Sequence, residues 1–91
     1  MKTEIITTDG DSQEVQPANG RKFSLRELQA VVEGYIEIIN LPDGRLMILN
    51  EDGNALGLPS NPVATVMAHN ALTEANGIVG DVLVCDPTLI D

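Results

Sequence analysis

The segment Leu41-Pro42-Asp43-Gly44 constrains the fold more than any other, because turn chemistry stands there between two runs of β-formers, Tyr35 to Ile39 and Arg45 to Leu49. Proline presets one turn dihedral, aspartate bonds back onto nearby backbone and glycine accepts a left-handed conformation. The two runs are therefore expected to fold onto each other as an antiparallel hairpin. Such a hairpin excludes a purely parallel alternation of strands and helices. Strand alternation puts Ile36 and Ile38 on one wholly apolar face and Tyr35, Glu37 and Ile39 on a mixed, partly wet one.

Two helix starts flank this hairpin. Ser24-Leu25-Arg26-Glu27 has the spacing of a capping box, in which the serine hydroxyl accepts from the third helical N–H and the glutamate reaches back. Leu25, Leu28, Val31 and Val32 then share one face, and Gly34 is expected to take the left-handed conformation that ends the helix. Asn61-Pro62 opens the second helix, with asparagine as N-cap and proline where its missing N–H costs nothing. That helix is expected to run to about Leu72 or Glu74, with Val63, Val66 and Met67 on one side. Asn61, Thr65 and His69 form a polar stripe on the other.

Ala55-Leu56-Gly57-Leu58-Pro59 reads as a short strand or an ordered loop, and Ile78 to Cys85 as a strand interrupted at Gly80-Asp81. Residues 1–22 read as an edge strand followed by a flexible acidic arm, and residues 23–91 as a single α+β domain. The expected fold class is α+β, a small mixed or antiparallel sheet with a central hairpin and two short helices, in the order β-α-β-β-(β)-α-β.

A chain of 91 residues has room for one core, and a domain of this size leaves much apolar surface uncovered. Self-association is the simplest remedy, so a homo-oligomer is expected. Aromatic residues make up 2% of the chain, Phe23 and Tyr35 alone, so the core must be built from aliphatic side chains. Fourteen carboxylates against five cations give a net charge of −9, which disfavours direct contact with nucleic acid or an anionic membrane. The single cysteine, Cys85, has no disulfide partner within the chain. With no apolar stretch resembling a signal peptide after Met1, the cytoplasm is the expected compartment.

Catalytic chemistry finds few groups to use. His69 is the one imidazole and Cys85 the one thiol, and Cys85 sits in an apolar run where an inert buried thiol is expected. Glu51 and Asp52 lie in a glycine turn, where solvated acids are the rule. There is no Cys-x-x-Cys pair, no second histidine, no calcium-loop spacing and no glycine-rich phosphate loop. No catalytic residues, no metal and no cofactor are expected. A hydrolase would require His69 within reach of Cys85 or a carboxylate.

The arrangement that suggests binding is the second helix start. Ser60 and Asn61 stand at a helix N-terminus, Thr65 and His69 continue the stripe, and Arg45 is the natural counter-charge for an anion in the second half of the chain. If the stripe lines a cleft, a phosphate or ribose fits it. The competing reading is that Asn61 caps, Thr65 bonds back to its own helix and His69 faces water.

Gly34-Tyr35-Ile36-Glu37, Asn50-Glu51-Asp52-Gly53, Gly57-Leu58-Pro59, Asn61-Pro62-Val63-Ala64-Thr65 and Gly80-Asp81-Val82-Leu83-Val84 together resemble an uncharacterised family of small proteins from bacteriophages, plasmids and other mobile elements. The resemblance spans about Phe23 to Asp86. Family members often carry basic residues early in the second helix, where this chain has Pro62 and Val63. The resemblance implies genomic company and no activity. It makes the first expectation a non-enzymatic phage or mobile-element binding protein, acting against host defence by sequestering a small nucleotide-like signal in the host cytoplasm. The alternative is an acidic inhibitor or accessory subunit that meets a host protein, in one version by imitating DNA.

Overall fold

The hairpin forms around the Pro42–Gly44 turn, with Leu41 N–H donating to the Arg45 carbonyl at 2.8 Å to close it. The computed structural model describes residues 2–68 and 77–90. In chain order these form β1 (Glu4–Ile6), β2 (Ser12–Glu14), α1 (Leu25–Val32), β3 (Ile36–Asn40), β4 (Leu46–Asn50), α2 (Pro62–Met67) and β5 (Val82–Cys85), closed by a 3-10 turn at Pro87–Leu89. The five strands make one antiparallel sheet in the order β2-β1-β5-β4-β3, so the fold is α+β.

Register explains how the core divides. Ile38, Ile48, Leu83 and Ile5 lie in one row across the sheet, and Ile39, Met47, Val84 and Glu4 lie in the next. Successive residues point to opposite faces, so the first row meets α1 and the second meets α2. Phe23, Leu28 and Val32 pack over Ile48, Leu83 and Cys85 on the first face; Ala64, Ala68 and Ile78 pack over Met47, Val82 and Val84 on the second. Because both faces are covered, β5 reads as the unbroken apolar run Val82-Leu83-Val84-Cys85, all of it buried.

The capping box of α1 is present. Ser24 Oγ accepts from Glu27 N–H at 3.1 Å, and Glu27 Oε1 accepts from Ser24 N–H at 2.8 Å. The end of α1 differs from expectation. Glu33, not Gly34, takes the left-handed conformation, at φ 61°. Gly34 is needed for a close approach instead, since a Cβ there would stand 2.8 Å from Asn50 Nδ2. That amide donates to the Val32 carbonyl at 2.9 Å and fastens the end of α1 to the end of β4.

The first 22 residues also differ from an edge strand and arm. Thr7 N–H donates to the Asp11 carbonyl and Gly10, at φ 94°, returns a bond to the Thr7 carbonyl, so the chain reverses at Asp9-Gly10. Residues 12–14 become the edge strand β2, and β1 is enclosed between β2 and β5. Residues 55–59 form the loop rather than the strand, and Ser60 bridges to Val79. The expected extension of α2 to residues 72–74 lies outside the described residues. Among the described residues no helix is long and apolar enough to cross a membrane.

Candidate functional site

The stripe expected on α2 is turned inward. Asn61 and Ala64 are fully buried, whereas Val63 is 39% and Val66 is 75% exposed. The hydrogen bonds give the reason. Asn61 Oδ1 accepts from Ala64 N–H at 3.1 Å as a helix cap, while Nδ2 donates to the carbonyls of Ile6 at 3.1 Å and Gly80 at 2.9 Å. Thr65 Oγ1 donates to the Asn61 carbonyl at 2.8 Å and accepts from Ile78 N–H at 2.9 Å. Satisfying these backbone groups inside the fold outweighs burying two more valines, because an unmet buried polar group is costly. The polar atoms of Asn61 and Thr65 are thus committed within the fold, and Ser60 alone of the three is exposed. His69 lies outside the described residues.

Arg45 is not brought to this helix end. Its guanidinium donates to Asp43 Oδ2 at 2.9 Å, to Glu4 Oε2 at 3.2 Å and to the Lys2 carbonyl at 3.0 Å, reaching over β5 to β1. Its side chain is 13% exposed, close to the 11% of Glu4. The Arg45 side chain, and next its backbone N–H, hold the Asp43 carboxyl below its ordinary value. Arg45 therefore acts as a clamp between the hairpin turn and the first strand. Cys85 is fully buried, and burial, followed by the Asp86 charge, pushes its thiol up to about 11. A thiol so placed is a poor nucleophile at neutral pH. Among the described residues no three His, Cys, Asp or Glu side chains gather as a metal would require.

Two features that the residue pattern did not single out lie together at β3. The first is an acidic corner. Glu51 N–H donates to the Tyr35 carbonyl at 2.9 Å and Asp52 N–H to Asn50 Oδ1 at 2.7 Å, which brings the exposed Glu51 and Asp52 beside the exposed Glu33 and Glu37. Tyr35 lies between Glu33 and Glu37 in the chain and is 68% exposed. No lysine or arginine occurs between residues 27 and 44 or after Arg45, so the segments that build this corner carry no cation. The second feature is a groove of about 240 Å³ between α1 and β3, lined by Phe23, Leu25, Leu28, Ile36, Ile38 and Ile90, with Ser24 as its polar member. Ile38 belongs to the face expected to be wholly apolar, and it is 44% exposed because α1 lies over β4 and β5 more than over β3.

A family model described as a domain of unknown function, DUF3846, matches residues 1–89. The chain belongs to the DUF3846 family. The match takes in every strand and helix, including the β1–β2 hairpin that precedes Phe23. Comparisons with curated proteins and with solved structures find no match. What a DUF3846 protein does must therefore be argued from the site itself.

Proposed function

We propose that this DUF3846 protein is a non-enzymatic binding protein of a phage or mobile element, and that its ligand is another protein. The observation that carries this reading is the acidic corner, where the exposed Tyr35 lies in the chain between the exposed Glu33 and Glu37 and its carbonyl accepts from the N–H of Glu51, which the exposed Asp52 follows. An amphipathic tyrosine within unpaired carboxylates suits a basic protein surface, since aromatic anchors dominate interface energy and charge complementarity speeds encounter. The nucleotide-sequestering reading, the first expectation from the residues, draws less support. Asn61 and Thr65 have no polar atom left to offer, Arg45 is held by Glu4 and Asp43, and the groove is apolar and below the usual volume of a small-molecule site. The action suited to such a surface is that of an inhibitor or accessory subunit in the host cytoplasm.

The test compares the protein with a variant neutralised at Glu33→Gln, Glu37→Gln, Glu51→Gln and Asp52→Asn in capture from host lysate. A basic partner is expected to be retained by the first, released by raised salt and missed by the second. Native mass spectrometry that finds a nucleotide carried through purification would restore the small-molecule reading and sink this one.

A further inference from the structure

The two edges of the sheet are unlike each other. β2 has three residues, Ser12-Gln13-Glu14, all exposed and polar, a short edge of the kind that discourages further pairing. β3 has five, Ile36-Glu37-Ile38-Ile39-Asn40, in unbroken register with β4 and without proline, lysine or bulge. Among the described residues nothing pairs with its outer side. The bonds Glu51 N–H to Tyr35 carbonyl and Leu41 N–H to Arg45 carbonyl fix which groups face β4. In an antiparallel ladder bonded and non-bonded pairs alternate, so Tyr35, Glu37, Ile39 and Leu41 face inward, and Ile36, Ile38 and Asn40 point their N–H and C=O groups out.

The geometry points to β3 as a homodimer interface in which two copies pair their edge strands antiparallel about a two-fold axis at Ile38. In that register Ile38 meets Ile38 of the second copy, and Ile36 meets Asn40 in both directions. All three outward-facing residues are then matched. A shift of two residues leaves an outward residue unpaired, and a shift of one sets outward groups against inward ones. The side chains of Ile36 and Ile38 face the α1 side, so the apolar grooves of the two copies join across the axis.

Charge opposes a second copy less along this strand than over the acidic parts of the surface. Each chain carries −9, which opposes self-contact over most of the surface, but none of the groove-lining residues is charged. Within the strand Glu37 is the one acid, and the register sets it opposite Ile39. The two Glu37 side chains then lie on a diagonal roughly 7–8 Å apart, both solvated. Apart from Glu37, the acidic corners fall at the outer ends of the joined strands, with the two Tyr35 residues about 20 Å apart at some 3.4 Å per residue. The dimer thus leaves Glu33, Tyr35, Glu51 and Asp52 of each copy free for a basic partner and brings the two Glu37 side chains together near the axis. A five-residue edge is a small interface, in the size class of weak, transient contacts.

Sedimentation of the full chain from about 1 µM to about 1 mM tests this. The mass is expected to rise from 9.7 kDa toward twice that value. Added salt should strengthen the dimer by screening two like-charged chains, the reverse of its effect on a basic partner, so the two proposals fail separately. Ile38→Lys should weaken association at least about tenfold, because it sets a charge against its own copy at the axis, while Gln13→Lys on β2 should leave it unchanged. Amide exchange of Ile36, Ile38 and Asn40 in the unsubstituted protein should slow with concentration, a readout independent of whether the variant folds. A monomer across the range, a dimer that Ile38→Lys leaves intact, or β3 amides protected only by a different added protein would each overturn the inference.

Discussion

Asn61 Nδ2 and the carbonyl of Gly80 meet at 2.9 Å in a fully buried position, and the same amide holds Ile6 on β1. One side chain therefore ties the start of α2 to two segments that are remote in the chain. Asn61→Ala would orphan two carbonyls and the Ala64 N–H, and the expected loss is about 3 kcal/mol of unfolding free energy. Asn61→Asp should lose more, since it replaces the donor with a buried negative acceptor facing two carbonyl oxygens. Urea unfolding of the purified variants measures both, and a loss below about 1 kcal/mol for the alanine variant would show that water replaces the amide.

The α1 terminus offers the opposite effect. Glu33 adopts φ 61° with its N–H donating to the Gln29 carbonyl at 2.7 Å, a conformation that costs a side-chain-bearing residue about 1 kcal/mol more than glycine. Glu33→Gly is expected to stabilise by about 0.5–1 kcal/mol, the gain being trimmed by the greater freedom of glycine in the unfolded chain. Gly34→Ala, one residue on, should destabilise by about 1–3 kcal/mol because its Cβ would collide with Asn50 Nδ2, part of the bond to Val32. Thermal melts of the two variants should move in opposite directions.

What could be read from residues alone was what is decided locally. The Pro42–Gly44 turn and the Ser24–Glu27 capping box were legible because their partners lie within a few positions. Asp9-Gly10 carries the same kind of signal but sits in a polar acidic stretch, which hid the hairpin that it makes. The orientation of α2 was illegible for a different reason: the groups that turn Asn61 and Thr65 inward belong to Ile6, Ile78 and Gly80, and nothing near the helix reveals them. Arg45 was visible as a lone cation, but its partner Glu4 is 41 residues away. The acidic corner arises only when Gly34 lets Asn50 close on α1, bringing Glu33 and Glu51 to one end of the hairpin.

The capping box sets a pH dependence. Backbone N–H bonds from Ser24 and then Ala18 hold the Glu27 carboxyl below its ordinary value. A carboxyl depressed in the folded state contributes stability that is complete above its unfolded pKa and is lost as pH falls through the folded one. Asp43, depressed by Arg45, acts in the same sense. Stability should therefore decline below about pH 4, at the lower edge of the ordinary carboxylate range. Glu27→Gln should be less stable than the parent near neutrality and flatter against pH in that acid window. Urea midpoints taken across it would contradict the assignment if the two curves ran parallel.

The inverted face of α2 gives paired substitutions whose outcomes hydrophobicity alone would order the other way. Ala64 is fully buried against the sheet, packed with Met47, Val82 and Val84, and Val66 is 75% exposed. Ala64→Val adds two methyl groups at a position with no exposed surface, and overpacking of this kind costs about 1–3 kcal/mol. Val66→Lys places a long polar side chain on an exposed position with better helix propensity, and should fall within about 0.5 kcal/mol of the parent. Had the valines faced the core, Val66→Lys would unfold the protein and Ala64→Val would be tolerated. Denaturant titration of the two variants decides between these orientations, and the expected order is a destabilised Ala64→Val with an unchanged Val66→Lys.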